Sequence, residues 1–249
     1  MRIPLITIYS LLLLLACGIT SENIEPNEKP AVPLVRVEEK STDGGDEYTF
    51  MYLDSAELNF EVTRPSKDSA KVLLCVAAAF TDLGDFEIDG LYLNDGVIRH
   101  QTRINKTLGG GLLKTADGIS LIDTRKGSIF NDSTLATYAD KKASLFQQIL
   151  IIRNGKPESF KAERYFQRRA VVTTNDGQLY IVENTDALTL AQFCKDLVSL
   201  DTTIKNALYL DMGSWDEGWY RHDKDSTVVI GQNRSSTAHQ SNWLVFERK

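Results

Sequence analysis

The stretch from Arg168 to Ser214 reads RRAVVTTNDGQLYIVENTDALTLAQFCKDLVSLDTTIKNALYLDMGS and decides most of the fold. Its first part holds two runs rich in β-branched residues, at 170–174 and 179–182, separated by Asn175-Asp176-Gly177. An Asx-Gly pair between two such runs supplies the positive φ that a tight turn needs. The pattern therefore predicts a β-hairpin.

A helix is predicted directly after the hairpin. Thr189 and Gln192 fit a capping box, in which each side chain satisfies a free backbone N–H of the first turn. A further strand is predicted at residues 207–210. If this strand and the one before the helix share a sheet and run parallel, the helix is a crossover between them. The apolar residues that recur at helical spacing are Leu190, Phe193, Cys194, Leu197 and Leu200.

Runs rich in β-branched and aromatic residues predict strands along the rest of the chain. They cover residues 48–53, 57–62, 71–79, 90–93, 97–102, 119–122, 146–152, 227–230 and 243–247. A second helix is predicted over residues 133–143. Because strands are many and helices few, the expected fold class is α+β: a single domain with a large mixed β-sheet and a few helices.

Residues 1–16 have the parts of a secretory signal peptide. Arg2 gives a positive start, an apolar run covers residues 11–15, and the small residue Ala16 precedes Cys17. The run is too short to span a membrane, which takes roughly 20 residues. The segment Leu14-Leu15-Ala16-Cys17 resembles a bacterial lipobox, in which the cysteine is lipidated and becomes the mature N-terminus. The alternative is an ordinary secretory signal with an incidental cysteine.

Residues 17–46 are predicted to form the lipidated N-terminus and a polar tether. This segment has few large apolar residues, so it cannot bury enough apolar surface to offset the entropy cost of ordering. An edge strand at residues 34–37 is an alternative for part of it. Residues 47–249 then form the domain. The expected location is the cell envelope, at the outer membrane or the periplasmic face, with the membrane reached through the lipid anchor only.

The charge of the chain argues against a nucleic-acid partner. The sequence has 28 basic and 34 acidic residues and a net charge of −6. It carries no basic patch dense enough to hold a phosphate backbone. Two cysteines lie in the domain, Cys75 and Cys194. They are interpreted as buried free thiols, although a disulfide is permitted in an exported protein.

The motif at the C-terminal end of the quoted stretch resembles a known family. Arg168-Arg169-Ala170-Val171-Val172, then the hairpin and the helix, then Asn206-Ala207-Leu208-Tyr209-Leu210-Asp211-Met212-Gly213-Ser214, are similar to the motifs of the phosphodiester glycosidase family (the uncovering-enzyme-like domain). The family has Arg-Thr-Ala-Ile-Gly at the first position and Asn-Ala-Leu-Asn-Leu-Asp-Gly-Gly-Gly-Ser at the last. The resemblance covers roughly residues 70–249, as a divergent bacterial lipoprotein member.

The chain departs from the family pattern in three places. An Asn-Gly-Gly turn of the family is replaced by Val76-Ala77-Ala78-Ala79-Phe80. A Ser-Gly-Pro segment is missing, with Gln147-Gln148 in its neighbourhood. The Gly-Gly-Gly-Ser loop becomes Met212-Gly213-Ser214.

The resemblance implies a site with Asp211 and Arg168 as catalytic residues. Arg168 would hold an anionic group bidentately, and Asp211 would orient or activate a reacting group. The alternative for this pair is an Arg–Asp ion pair, or a carboxylate that caps a turn. No cofactor and no metal site are predicted, because the histidines and cysteines lack metal-ligand spacing. The predicted substrate-binding residues are Gln147, Gln148, Gly213, Trp215 and Asp82.

Aromatic residues between Met212 and Arg221 stand among carboxylates, as a carbohydrate-binding surface requires; an ordinary loop folded onto the domain has the same composition. The function expected from the resemblance is hydrolysis of a sugar phosphodiester, with a glycan or sugar phosphate as ligand. The first alternative is a catalytically inactive glycan-binding envelope lipoprotein. The second is a purely structural envelope protein.

Overall fold

The hairpin predicted at Asn175-Asp176-Gly177 lies in the middle of the largest sheet. In the computed structural model the described residues are 35–99, 103–161, 164–212, 218–231 and 239–249, all of which belong to one compact unit, Pro33–Lys249. Strands are numbered here in chain order. Strands β12 (Arg169–Thr174) and β13 (Leu179–Asn184) form the hairpin, with Gly177 at a φ of 87° in its turn.

Seven strands form this first sheet. From one edge to the other they are β1 (Arg36–Ser41), β2 (Glu47–Tyr52), β13, β12, β14 (Ile204–Tyr209), β10 (Leu150–Arg153) and β11 (Lys156–Pro157).

Two further sheets of five strands each complete the domain. The second sheet has the order β16 (Thr227–Ile230), β15 (Gly218–Arg221), β4 (Val72–Ala77), β17 (Trp243–Arg248) and β3 (Ala56–Glu61). The third has the order β6 (Val97–Arg99), β5 (Tyr92–Asn94), β9 (Ser144–Gln148), β7 (Gly110–Thr115) and β8 (Gly118–Asp123).

The predicted fold class, α+β with a large mixed sheet, is wrong. The domain is mostly β, with three antiparallel sheets, and the described residues contain two helices, α1 (Asp132–Asp140) and α2 (Leu190–Leu200). Helix α2 does connect strands that run parallel, β13 and β14. Strand β12 lies between them and pairs antiparallel with both, so no parallel neighbours result. Tight Asx-Gly turns produce antiparallel neighbours, and these dominate the chain.

The folded domain begins before the predicted boundary at residue 47. Strand β1 lies within the segment predicted as tether and pairs antiparallel with β2 along its whole length. Its charged residues are compatible with a strand because β1 is at a sheet edge, where such side chains reach solvent. The tether predicted from composition was therefore too long, because it included strand β1. The predicted signal peptide and Cys17 lie outside the described residues.

The central core forms where the inner faces of the three sheets meet. It includes Met51, Val171 and Leu208 of the first sheet, Leu74, Val76 and Phe246 of the second, and Tyr92, Leu112 and Phe146 of the third. A second cluster lies on the other face of the first sheet, under helix α2. Among the described residues, no helix has the length and apolarity needed to cross a bilayer.

Helix α2 is fixed to the first sheet by apolar and polar contacts. Phe193 and Leu197 are fully buried there, and burial of a side chain of this size stabilises a fold by about 1.5–3 kcal/mol. The Thr189 hydroxyl accepts a hydrogen bond from the Gln192 backbone N–H at 3.1 Å, which confirms the predicted N-cap. The Gln192 amide instead donates to Asp196 at 2.7 Å, so only half of the capping box forms.

Candidate functional site

Asp211 lies just beyond the end of β14 and joins the first sheet to the second. Its backbone N–H donates to the Ala78 carbonyl at 3.0 Å, just beyond the end of β4. Its carboxylate accepts a hydrogen bond from the Thr81 backbone N–H at 3.2 Å. The side chain is buried, with 6% of the residue exposed. A carboxylate held this way has a fixed position at a strand end, which suits a binding or catalytic group.

The segment before β17 binds the same loop after β4 that contacts Asp211. The Asn242 amide accepts from the Ala79 N–H at 2.7 Å and donates to the Ala79 carbonyl at 3.0 Å. The hydroxyls of Thr81 and Ser241 are 2.9 Å apart. Sequence analysis missed Asn242, which is fully buried. A polar residue directly before an apolar strand was the only signal, and loops contain many such residues.

Arg168 is buried at the start of β12, and its guanidinium binds protein groups. Its Nε donates to the Leu188 carbonyl at 3.1 Å, and its Nη2 donates to the Arg164 carbonyl at 2.5 Å. Its Nη1 donates to the Tyr209 hydroxyl at 3.1 Å. The arginine therefore ties two loops to the last residue of β14. Together, Thr81, Arg168, Tyr209, Asp211 and Asn242 are called the strand-end cluster below.

Tyr209 connects the two residues that the sequence singled out. The pKa of its hydroxyl is raised chiefly by burial; the charges of Arg168 and Arg169 oppose this rise and the charge of Asp211 adds to it. The described residues show no ion pair between Arg168 and Asp211. The structure thus brings Arg168 and Asp211 to one neighbourhood, since Arg168 donates to the Tyr209 hydroxyl and Asp211 follows Tyr209 by two residues.

A second buried polar group, which sequence analysis missed, lies beside Arg168. Arg169 is fully buried, and its Nε donates to Glu183 at 2.6 Å. Glu183 also accepts hydrogen bonds from the Gln167 amide and the Gly231 N–H, each at 2.7 Å. The Arg169 Nη2 makes an ion pair with Glu183, but Nη1 is buried with no hydrogen-bond partner among the described residues. Buried guanidinium donors that lack partners are costly, so this group is a candidate for binding an anion.

Arg169 is connected to the strand-end cluster through the backbone. The Leu210 N–H donates to the Arg169 carbonyl at 3.0 Å, one residue before Asp211. No motif pointed to Arg169, because the family-like pattern has threonine at this position.

Gln147 and Gln148 follow one another on β9 but differ in their contacts. The Gln147 amide links two loops, since it accepts from the Leu91 N–H at 2.8 Å and the Asn105 N–H at 3.0 Å. It is therefore used within the fold. Gln148 is fully buried, and its Nε2 has no hydrogen-bond partner. The next residue, Ile149, accepts a hydrogen bond from the Tyr209 N–H at 2.9 Å, so Gln148 lies close in the chain to the strand-end cluster.

The other predicted site residues fall in two groups. Asp82 is exposed, and its carboxylate accepts a hydrogen bond from the Gly84 N–H at 2.7 Å within its own loop. Gly213 and Trp215 lie outside the described residues. Trp219 is one of the aromatic residues between Met212 and Arg221 that were considered for carbohydrate binding. It is fully buried against Cys75 and Trp243 on the outer face of the second sheet, so this ring offers no sugar-binding surface.

No family model and no curated protein sequence matches this chain. Solved structures do match it. The catalytic domain of zebrafish N-acetylglucosamine-1-phosphodiester alpha-N-acetylglucosaminidase, auto-inhibited by its pro-peptide, is similar with a TM-score of 0.58 and 12% identity, over 90% of this chain and 86% of that one. A hypothetical protein from Synechocystis is similar with a TM-score of 0.56 and 10% identity, over 86% of this chain and 62% of that one.

These likenesses concern the fold. Identities of 12% and 10% support a likeness of fold alone. The fold of this domain is similar to that of a phosphodiester glycosidase catalytic domain, in agreement with the family that the sequence motifs resemble. The residues of the site have to be argued from their own geometry.

Proposed function

We propose that this protein is an exported lipoprotein of the cell envelope whose domain hydrolyses a glycosyl phosphodiester. The observation that carries the proposal is that Asp211, a buried carboxylate bound by the Thr81 N–H, lies two residues after Tyr209, whose hydroxyl accepts a hydrogen bond from the buried Arg168. Buried charges are expensive unless paired or functional, and perturbed groups cluster at active sites. The fold likeness to a phosphodiester glycosidase catalytic domain supports the same reaction class.

The reaction breaks the bond between the anomeric carbon and the phosphate oxygen. Water supplies a hydroxyl group to the sugar and a proton to the released phosphomonoester. Such a step needs a carboxylate to activate water or orient a sugar hydroxyl, and a cation to balance the phosphate charge. Asp211 is the carboxylate of this proposal. Arg169 is the cation of this proposal: its guanidinium is paired with Glu183, and Nη1 is the donor without a hydrogen-bond partner among the described residues. Arg168 positions Tyr209 and the start of β12.

The location follows from the N-terminal segment. Export through residues 1–16 and lipidation of Cys17 would attach the chain to the membrane, because more than one acyl chain gives stable anchoring. The mass of the mature N-terminal peptide tests this part. A diacylglycerol-modified Cys17, lost in Cys17→Ser, supports it, and an unmodified cysteine in the purified membrane fraction refutes it.

One observation favours a second function, that of a catalytically inactive glycan-binding protein. The Asn-Gly-Gly turn of the family is replaced by alanines, and the Asn242 amide holds both backbone groups of Ala79. This turn therefore has fewer free polar groups than the family pattern offers. Such a protein would bind the sugar phosphodiester without releasing sugar from it.

Enzyme and binder are separated by measuring sugar release and binding on the same full-length protein. A panel of glycosyl phosphodiesters, including the methyl phosphodiester of N-acetylglucosamine 1-phosphate, is assayed with wild type, Asp211→Asn and a control, Asp117→Asn, which changes an exposed turn residue. Release that falls at least about 100-fold only in Asp211→Asn supports hydrolysis. Binding without release supports the inactive binder. Neither release nor binding would reject both.

A further inference from the structure

An exposed aromatic pair joins the loop that follows β4, which carries Phe86, to the segment before β17, which carries His239. The rings of Phe86 and His239 are stacked, with centroids 4.1 Å apart and planes inclined by 20°. Phe86 is 42% exposed and His239 is exposed as well. Large apolar rings are usually buried, so a stacked pair that reaches solvent is a candidate contact surface.

The backbone at Phe86 is held in an unfavourable conformation. Its φ is 60°, a region that bulky side chains rarely adopt and that glycine enters freely. The loop imposes this conformation, since the Phe86 N–H donates to the Asp82 carbonyl at 2.9 Å and the Asp82 N–H donates to the Glu87 carbonyl at 2.8 Å. An ion pair between Asp85 and Arg103 fixes the loop further. Strain of this kind is typical of functional positions.

Both rings are carried by segments that meet the strand-end cluster. Thr81 starts the loop that bears Phe86, and its N–H binds the Asp211 carboxylate. Ser241, two residues after His239, makes the hydroxyl contact with Thr81. The aromatic pair is therefore attached on both sides to the residue that positions Asp211.

We propose that Phe86 and His239 form a stacking platform for the apolar face of a pyranose ring. The proposal rests on the function proposed above and names how the sugar part of that ligand is held. Sugar C–H groups pack on aromatic rings.

The charges around Phe86 decide whether the sugar or the phosphate of the ligand lies at the platform. The loop around Phe86 carries four carboxylates, Asp82, Asp85, Glu87 and Asp89; Asp85 is paired with Arg103, and Asp89 accepts hydrogen bonds from the Asn105 amide. These carboxylates repel a phosphate group. The cations Arg168 and Arg169 lie at the start of β12. The sugar therefore stacks on Phe86 and His239, and its phosphate points away from this loop, towards β12.

The decisive variant is Phe86→Gly, because it removes the ring and relieves the positive φ at once. If Phe86 served stability, the Phe86→Gly protein would unfold at a lower temperature than wild type. Here we expect the opposite: a higher melting temperature, together with affinity for the sugar that is about fivefold weaker. Phe86→Tyr should retain the affinity of wild type. Val97→Gly, at a residue that is 61% exposed on β6, is the control for loss of an exposed apolar side chain.

Binding is measured by calorimetry on the full-length protein in the Asp211→Asn background, with three probes: the methyl phosphodiester of N-acetylglucosamine 1-phosphate, methyl N-acetylglucosaminide, and methyl phosphate. Phe86→Gly should weaken binding of the first two by the same factor and leave the third unchanged. If Phe86→Gly binds both sugars as well as its parent does, the platform is wrong and the proposed function stands. If sugar binding depends on Phe86 but wild type releases no sugar, the platform stands and hydrolysis fails. If neither the parent nor wild type binds either sugar and wild type releases none, both are rejected.

Discussion

The guanidinium of Arg168 donates a hydrogen bond to the hydroxyl of Tyr209 at 3.1 Å and so ties the start of β12 to the end of β14. The other hydrogen bonds of this side chain go to the carbonyls of Leu188 and Arg164. Sequence reasoning gave Arg168 the task of holding an anionic substrate group. The contacts instead make it a positioning residue, and they direct attention to its neighbour Arg169, whose Nη1 has no hydrogen-bond partner.

Replacing Arg168 should therefore cost stability first. Arg168→Met removes three hydrogen bonds, to the carbonyls of Leu188 and Arg164 and to the Tyr209 hydroxyl, and we expect the free energy of unfolding to fall by about 2–4 kcal/mol. Tyr209→Phe removes one hydrogen bond and should cost about 1 kcal/mol. Urea denaturation measures both values, with Arg99→Met on the exposed strand β6 as control. A cost below about 0.5 kcal/mol for Arg168→Met, as is usual for surface changes, would show that the hydrogen bonds of this side chain do not stabilise the fold.

The glycines at 109–111 offer a matched test of packing between the first and third sheets. A Cβ on Gly110 would lie 2.6 Å from Leu208 Cδ1 and 2.7 Å from Leu150 Cβ, whereas one on Gly109 would meet nothing within 4 Å. Gly110→Ala should destabilise the domain by about 1–3 kcal/mol because the core is overpacked. Gly109→Ala should change stability by less than about 0.5 kcal/mol. Equal effects in thermal denaturation would contradict the close approach of Gly110 to β10 and β14.

A buried hydrogen bond fastens helix α2 to the first sheet. The Tyr48 hydroxyl donates to the Asp196 carboxylate at 2.7 Å, and both residues are buried. Tyr48→Phe leaves this carboxylate with one donor fewer, so the free energy of unfolding should fall by about 1–3 kcal/mol. Tyr165→Phe is the control, because Tyr165 is 67% exposed and its change should be close to neutral. No difference between the two variants would refute the structural role of this bond.

The thiol of Cys194 should be unreactive in the native protein. Burial raises its pKa to about 12, and the thiolate is the reactive form. Iodoacetamide at pH 8 should label Cys194 only after denaturation, as read by peptide mass spectrometry. Because the folded pKa lies above that of the unfolded thiol, this group stabilises the fold fully below the unfolded pKa. That contribution is lost as the pH rises towards 12. Rapid native labelling would contradict the burial.

Local pattern predicted the parts of the fold that depend on neighbours in sequence. The hairpin at Asn175-Asp176-Gly177 and the N-cap at Thr189 formed as predicted, because turn and cap chemistry are local. The prediction of a large mixed sheet was wrong because strand order depends on packing between residues that are far apart in sequence. Strand β14 pairs with β12 and not with β13, and no feature of the helix between them specifies this.

The candidate site was predicted in part for a similar reason. Arg168 and Asp211 stand in motifs, and both are buried near the end of β14, where Arg168 donates to Tyr209 and Asp211 accepts from Thr81. Asn242 comes from a segment with no recognisable pattern, and Arg169 stands in the motif at a position where the family-like pattern has threonine. Only the folded structure shows that both are buried and bonded within the fold. Phe86 was missed because an exposed aromatic residue in an acidic loop carries no signal until its φ and its contact with His239 are known.

The central claim is that the domain cleaves the bond between sugar and phosphate. Its most direct measurement is hydrolysis of the methyl phosphodiester of N-acetylglucosamine 1-phosphate in water labelled with heavy oxygen, followed by mass spectrometry of both products. Cleavage at the anomeric carbon puts the label in the released sugar, and Asp211→Asn should abolish that labelled product. Label in the phosphate, or labelled sugar formed equally well by Asp211→Asn, would contradict the account.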